Sequence, residues 1–245
     1  MKHAHSLELL YEDNHLVVID KPAGWLSQGG SLDGQASSQE HSTHSIESPP
    51  NIVDYFRNLW GRPYVGLVHR LDRNTSGLMV VAKRSKAASR LSAALQEGQL
   101  NRSYLAWVVG TVSESLTQTV WVDQIEKDSK SNRVSEAKSS RTGPRSHSTQ
   151  ATQEARMNVF IERLAQHRQL GAITLLKCEL ETGRSHQIRV QCSLRGYPLV
   201  GDIKYGGPSL PHQRLALHSN HISFPHPVSK AIIEIVSELP SDISF

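Results

Sequence analysis

Residues 69–78 read HRLDRNTSGL and connect two apolar segments, Val65–Leu71 and Leu78–Ala82, that each have the composition of a β-strand. Asp72 therefore lies where the chain leaves a predicted strand, between two arginines. Nearby positive charge favours the ionised form of an acid, so Asp72 is expected to be a carboxylate. A lone aspartate in this setting is more often a turn cap paired with arginine. The Thr-Ser-Gly turn that follows makes the whole string more specific than that.

In the rest of the chain, more segments have the pattern of a short strand than that of a helix, and three helices are predicted. Strands are predicted within Leu7–Asp20 and at Ser103–Val109, Ala172–Leu180, Arg214–His218 and Ile232–Val236. Helices are predicted to begin at the capping residues Asn51, Ser85 and Ser185. The first helix is expected to bury four apolar residues: Ile52, Val53, Phe56 and Leu59. Neighbouring strands with few helices predict an α+β fold, with a mixed, mainly antiparallel curved sheet flanked by helices and loops.

Two polar stretches interrupt this pattern. Residues 27–48 are rich in Ser, Gly, Gln and His, and residues 123–154 are rich in Ser, Lys and Arg and contain few large apolar side chains. Such composition is typical of flexible loops, and both stretches are predicted to be loops, with an extended hairpin as the alternative for residues 123–154. No interdomain linker is evident, so residues 1–245 are interpreted as a single domain.

The positive charge is concentrated along the chain. The net charge is only +4, yet the segment from Arg57 to Tyr104 contains nine Lys or Arg residues and two acids. The segment from Arg184 to Arg214 contains five basic residues and one acid. Two basic segments on a nearly balanced chain indicate a surface that meets phosphate groups. For either segment alone, ordinary solvated surface charge would be the simpler interpretation.

Composition excludes several classes of protein. The apolar runs fall far short of the ~18 residues that a membrane span requires. No signal-peptide core follows Met1, which favours a cytoplasmic protein with no membrane partner. The two cysteines, Cys178 and Cys192, are too few for a disulfide scaffold or a four-cysteine zinc site. The 13 histidines form no recognised metal-ligand pattern, so no metal site is predicted.

The string at residues 69–78 closely resembles the signature of the RluA-type RNA pseudouridine synthases, His-Arg-Leu-Asp-x-x-Thr-Ser-Gly-Leu. Further similar motifs follow in the same order as in that family: LYEDNHLVVIDKPAG at 10–24, NRSYLA at 101–106, TGRSHQIRV at 182–190, GDIKYG at 201–206 and RLALH at 214–218. The resemblance covers nearly the whole chain and implies the pseudouridine synthase fold. Two departures stand out: the core begins near Leu7, without the small N-terminal RNA-binding module of many members, and the usual Ala-x-Thr appears as Ala155-Arg156-Met157.

The resemblance also implies roles for individual residues. Asp72 matches the catalytic aspartate, Tyr104 the tyrosine that stacks on the target base, and Arg189 the cation that pairs with the catalytic carboxylate. A larger set is implied to bind RNA or to shape the loop around Asp72: His69, Arg70, Arg73, Thr75, Arg102, Arg184, His186 and Gln187. For Tyr104 a core aromatic, and for Arg189 and Arg184 plain surface charges, remain the alternatives on sequence grounds.

The reaction implied is an isomerisation of uridine to pseudouridine in ribosomal or transfer RNA. It has no net redox change or hydrolysis, so no cofactor or metal is expected. Asp72 would act as a nucleophile or as a base, and the sequence leaves both open. Two other functions compete: a non-catalytic RNA-binding relative, and an N-glycosidase that releases free uracil. RNA is the expected partner; no obligate protein partner is evident, and a monomer is expected.

Overall fold

The structure, a computed structural model, describes residues 7–29, 49–117, 119–128, 133–137, 152–210 and 214–245. In these ranges the strands are β1 Glu8–Glu12, β2 Leu16–Lys21, β3 Gly66–Leu67, β4 Ser76–Ala82, β5 Asn101–Val109, β6 Val120–Asp128, β7 Arg133–Glu136, β8 Gln153–His167, β9 Gly171–Leu180, β10 Leu217–Pro225 and β11 Ile232–Val236. The helices are α1 Ile52–Trp60, α2 Ser85–Gln96 and α3 Gln187–Leu194. No helix in these ranges has the length and apolar character needed to cross a bilayer.

The strands form one mixed sheet in the order β1-β2-β4-β10-β5-β9-β8-β6-β7, with β11 beside β10 and β3 beside β4. The pairing of β10 with β4 is parallel and the other pairings among the described strands are antiparallel. The predicted α+β class and mainly antiparallel sheet are therefore confirmed. The parallel contact brings the start of β4, just after Asp72, against the start of β10.

The first helix confirms its predicted cap, but not its whole predicted buried face. Asn51 accepts a hydrogen bond from the Asp54 N–H at 2.8 Å, and Ile52 and Phe56 are fully buried. Leu59 is 56% exposed, so its predicted burial is wrong. The ring of Trp60 stacks on Phe56 with centroids 4.5 Å apart and covers this end of the helix instead.

The other two predicted caps are displaced by one residue. Ser85 is already the first residue of α2, and the capping position belongs to Arg84, without a side-chain hydrogen bond. For α3 the capping residue is His186, which takes a left-handed backbone conformation at φ 53°, and not Ser185. The His186 side chain is engaged elsewhere, as described below.

The segment before Asp72 is mostly not a strand. Only Gly66–Leu67 of the predicted strand Val65–Leu71 pairs with the sheet. The Ser27 hydroxyl accepts from the Leu71 N–H at 3.1 Å and donates to the Leu71 carbonyl at 2.7 Å. These bonds replace strand pairing, so the chain is free to turn out of the sheet.

In its described part, the stretch at residues 123–154 is not a flexible loop but a hairpin, the alternative that the sequence left open. Residues 120–128 and 133–136 form the β6–β7 hairpin, and β8 begins at Gln153. Ile125 and Val134 are each 3% exposed and form a small core with Ala155, Val190 and Tyr205. Burial of these few apolar side chains is enough to order the hairpin in a polar segment. Residues 30–48 of the other predicted loop, and residues 138–151, lie outside the described residues.

Candidate active site

Asp72 lies in a short turn between Leu71 and the start of β4. The Thr75 N–H donates to the Asp72 carbonyl at 3.1 Å, and Thr75 and Ser76 are buried beneath the turn. Gly77 has φ 111°, and a Cβ there would collide with the Ser219 carbonyl oxygen of β10. Glycine is therefore required for the close approach of β4 and β10. The Asp72 side chain keeps 29% of its surface exposed, so the carboxylate faces a solvent-accessible space.

A buried lysine supports this turn from below. The Lys21 ammonium donates to the carbonyls of Pro22 and Trp25 at 3.0 Å each and to that of Arg73 at 3.4 Å. Burial lowers the pKa of Lys21 to about 7, against the opposing charge of Asp72. Lys21 was not among the site residues predicted from the sequence. It lies in the Lys-Pro-Ala-Gly string of the motif at residues 10–24, which could have identified it. Its contacts indicate that it ties the β2 exit to the Asp72 turn.

Arg189 meets Asp72 from α3. Its Nη1 lies 3.3 Å from Asp72 Oδ2, and its Nε and Nη2 donate to the two oxygens of Asp202 at 2.7 and 2.8 Å. Asp202 is buried. Burial of Arg189 lowers the pKa of its guanidinium, but the bonds with Asp202 raise that pKa, and the pKa of Arg189 is raised overall. The predicted proximity of Asp72 and Arg189 is thus present, 117 residues apart in the chain. Asp202 was missed as an individual residue, although the GDIKYG string contains it.

His186 and Tyr205 complete the surroundings of the carboxylate. His186 Nε2 lies 3.7 Å from Asp72 Oδ2, and its Nδ1 lies 2.7 Å from the Tyr205 hydroxyl. Burial lowers the pKa of His186, while the charge of Asp72 opposes this effect. The Arg189 guanidinium packs 4.9 Å from the centroid of the Tyr205 ring. The Tyr205 side chain therefore contacts both of the residues, Arg189 and His186, that lie beside Asp72.

Tyr104 lies on β5 and belongs to the largest apolar cluster of the described residues. It is 5% exposed, and it pairs across the sheet with Cys178. Burial raises the pKa of the Tyr104 phenol, the Asp72 carboxylate adds to the rise, and Arg102 and Ser219 oppose it. The packing of Tyr104 is thus that of a core residue at the margin of the site.

Apart from His186, the residues implied to bind RNA fall into two groups. Arg70, Arg73 and Arg184 are exposed, and Arg184 donates to the Glu154 carbonyl at 3.0 Å. Four others are buried: His69, Thr75, Arg102 and Gln187.

The polar contacts of the buried members are internal. His69 Nε2 accepts from the Val80 N–H at 3.1 Å. The Gln187 amide donates to the Arg156 carbonyl at 2.9 Å, and its oxygen accepts from the Thr182 hydroxyl at 2.8 Å. These residues shape the loops around Asp72.

The β6–β7 hairpin carries further cations near the site. Lys127 and Arg133 are exposed, and Arg133 lies 5.7 Å from the centroid of the Tyr205 ring. Burial lowers the pKa of Lys204, and the charges of Arg189, Lys127 and Arg133 lower it further while Asp72 raises it. The hairpin therefore carries positive charge to the edge of the Asp72 site. Within the described part of the chain, no group of three or more His, Cys, Asp or Glu residues is arranged to hold a metal ion.

Comparison with known proteins gives a consistent result. A family model described as RNA pseudouridylate synthase matches residues 15–194. The chain is 36% identical over 238 residues to the uncharacterized RNA pseudouridine synthase YjbO of Bacillus subtilis, covering 97% of this chain and 74% of that protein. It is 34% identical over 251 residues to ribosomal large subunit pseudouridine synthase D of Xanthomonas campestris pv. campestris, covering 97% and 67% respectively. The solved structure of human RNA pseudouridylate synthase domain containing 4 has the same fold, with a TM-score of 0.70, 21% identity and coverage of 96% of this chain and 90% of that one.

Proposed function

This chain belongs to the RNA pseudouridylate synthase family, and we propose that it isomerises uridines of large-subunit ribosomal RNA to pseudouridine with Asp72 as its catalytic carboxylate. The observation that carries the proposal is the part-exposed carboxylate of Asp72, held on a glycine-dependent turn beside Arg189 and His186. The choice of large-subunit RNA is supported by several relatives that are named for it. Transfer RNA is the competing substrate.

The chemistry requires one well-placed acid or base. The bond between uracil N1 and the ribose C1′ breaks, the base turns, and C5 bonds to C1′. The C5 proton leaves and N1 gains a proton, so atoms and electrons balance without an added reactant. A carboxylate serves either as a nucleophile or as a base that removes a ribose proton. Arg189 keeps Asp72 paired with a positive charge in both cases.

The target uridine must leave its helix to reach this site. Eversion costs a few kcal/mol of unstacking, and stacking on an aromatic ring returns roughly 1–3 kcal/mol per base. We assign the stacking ring to Tyr104, at the margin of the site. Phosphate contacts are assigned to the exposed cations around Asp72: Arg70, Arg73, Lys127, Arg133 and Arg184. We also propose that the enzyme acts as a cytoplasmic monomer. Analytical ultracentrifugation would test the oligomeric state.

The test compares the wild-type protein with Asp72→Asn. Carbodiimide mapping of total RNA from cells with and without this gene identifies the modified uridine. A transcript of that RNA labelled with [5-³H]uridine then reports turnover through release of tritium from C5. We expect the variant to bind the transcript with unchanged affinity and to lose at least about 10³-fold in rate, the range of a lost acid–base group. A wild-type rate in the variant, or release of free uracil by the wild type, would contradict the proposal.

A further inference from the structure

The charge of Arg189 is divided unequally between two carboxylates. Asp202 takes the Nε and Nη2 edge of the guanidinium in a two-bond fork, at 2.7 and 2.8 Å. Asp72 has one hydrogen bond to Arg189, from Nη1 at 3.3 Å. Charge-assisted bonds of full strength have lengths of about 2.7–2.9 Å. The buried carboxylate therefore holds the arginine tightly, and the part-exposed carboxylate holds it weakly.

Several hydrogen bonds hold the backbone around Asp202. The Asp202 N–H donates to the Leu199 carbonyl at 3.1 Å, and the Asp202 carbonyl accepts from the N–H groups of Tyr205 at 3.1 Å and Gly207 at 2.8 Å. A Cβ at Gly207 would collide with the Leu199 carbonyl oxygen, so only glycine fits there. The Asp202 side chain is 1% exposed. The fork is thus anchored to a turn that has little freedom to move.

A buried guanidinium without its anion is strongly destabilised, and it would turn to the next carboxylate available. In this site that carboxylate is Asp72. A carboxylate engaged in a two-bond fork with arginine is a weaker base and nucleophile than one with a single long contact. The position of Arg189 thus bears directly on the reactivity of Asp72.

We propose that Asp202 is a positioning residue of the reaction: its fork with Arg189 restrains the guanidinium so that Asp72 keeps a single weak contact and remains reactive. The inference rests on the proposed function, since it concerns the rate at Asp72. It assigns Asp202 no contact with RNA, because the side chain is buried behind Arg189.

Several titratable groups lie near Arg189 and Asp72. They are the carboxylates of Asp72 and Asp202 themselves, His186, Lys204, Lys21 and the phenol of Tyr205. Replacing Asp202 by asparagine removes one negative charge from this group while keeping the side-chain shape. Loss of that charge favours ionisation of the remaining carboxylate. The acid limb of the rate profile should therefore move to lower pH.

The test measures single-turnover tritium release from the [5-³H]uridine-labelled transcript across pH 5–9 at saturating enzyme. For Asp202→Asn we expect a rate reduced by about 10- to 100-fold, below the full effect of an acid–base group, and an acid limb at lower pH. Transcript affinity should be unchanged. Asp202→Glu keeps the charge, so it should keep the wild-type acid limb and recover part of the rate. A purely structural role would lower the melting temperature without moving the acid limb.

A double-variant cycle shows whether Asp202 acts through Arg189. In the Arg189→Gln background, adding Asp202→Asn should cost little further rate, since no guanidinium is left to restrain. Equal losses in both backgrounds, or a wild-type rate and pH profile in Asp202→Asn, would overturn the inference. If Asp202→Asn melts below the assay temperature, Asp202→Glu, tested alone and in the Arg189→Gln background, decides the question. A wild-type protein that releases no tritium would instead refute the proposed function.

Discussion

His186 and Tyr205 share a hydrogen bond that connects the β6–β7 hairpin to the Asp72 turn. The Tyr205 hydroxyl oxygen lies 2.7 Å from His186 Nδ1 and accepts from the Val134 N–H of β7 at 2.9 Å. If the phenol donates to Nδ1, the neutral imidazole carries its proton on Nε2, which lies 3.7 Å from Asp72. The Tyr205 hydroxyl group thus both holds the hairpin in place and orients the His186 ring beside Asp72.

We expect Tyr205→Phe to weaken both connections. The Val134 N–H loses its acceptor, and an unsatisfied buried donor costs about 1–3 kcal/mol of stability. The His186 ring loses its restraint, so we expect kcat to fall by about threefold to tenfold, less than the loss caused by a 1 Å misplacement of a reacting group. Thermal melts and tritium release measure the two effects. Tyr197→Phe is the matched control and should change neither; equal effects in the two variants would argue against the connection.

Tyr104 offers a way to separate packing from stacking. Tyr104→Ala removes a ring that is 5% exposed, and large-to-small changes of this kind cost about 3–5 kcal/mol. Separately, loss of stacking with the target base should raise the activation free energy by about 1–3 kcal/mol, which lowers the rate by about 5- to 150-fold. Tyr104→Phe keeps the ring and should melt near the wild-type temperature.

The measurement is the rate at a temperature where circular dichroism shows both Tyr104 variants folded. A folded Tyr104→Ala protein with the rate of Tyr104→Phe would show that the ring is a core residue alone.

The hairpin cations should act on RNA affinity and not on chemistry. We expect Lys127→Gln/Arg133→Gln to bind the transcript more weakly and to reduce the slope of log K against log salt by about 0.7 for each phosphate that is no longer neutralised. The rate at saturating RNA should stay within about twofold, because neither side chain reaches Asp72. Filter binding between 50 and 300 mM salt measures the slope. Lys86→Gln/Arg168→Gln removes the same charge from α2 and the β8–β9 turn; an identical slope change there would mean that only net charge matters.

Buried neutral histidines predict a loss of stability in mild acid. Burial, with the charge of Arg214, lowers the pKa of His218 to about 4, while the ordinary value is 6.5. Between these values the unfolded chain binds a proton that the folded chain does not, so the free energy of unfolding falls as the pH falls from 6.5 to about 4. At ~1.4 kcal/mol per pKa unit, the contribution is about 3 kcal/mol.

Urea unfolding at pH 7, 6, 5 and 4 measures this dependence. His218→Asn should flatten the curve over that interval, even though it also loses bonds to the hydroxyls of Ser76 and Ser237. His221→Asn is the control, since its ring is partly exposed beside Glu234. A curve as steep in His218→Asn as in the wild type would assign the acid sensitivity to other groups.

The cap at Asn51, the strands β5, β9 and β11, the α+β class and the family signature around Asp72 could all be read from the sequence, whereas the predicted strands Val65–Leu71 and Arg214–His218 overlap the observed strands by only two residues each. Each depends on residues that are near in the chain, where hydrogen-bonding groups and apolar periodicity act over a few positions. The displaced caps at Ser85 and Ser185 show the limit of that approach. At α3 the residue that begins the helix, His186, also has a side chain taken up by Tyr205 and Asp72, and no local pattern carries that information.

Local patterns in the sequence are therefore enough to identify the family, the class of fold and the turn that presents Asp72. Tertiary structure alone decided that His69 and Gln187 are buried supports, that the polar 120–136 region is an ordered hairpin, and that Arg189 is shared between Asp72 and Asp202. The physical reason is distance along the chain. Burial and ion pairing are set by which strands and helices become neighbours, and the partners of Arg189 come from segments as far as 117 residues apart.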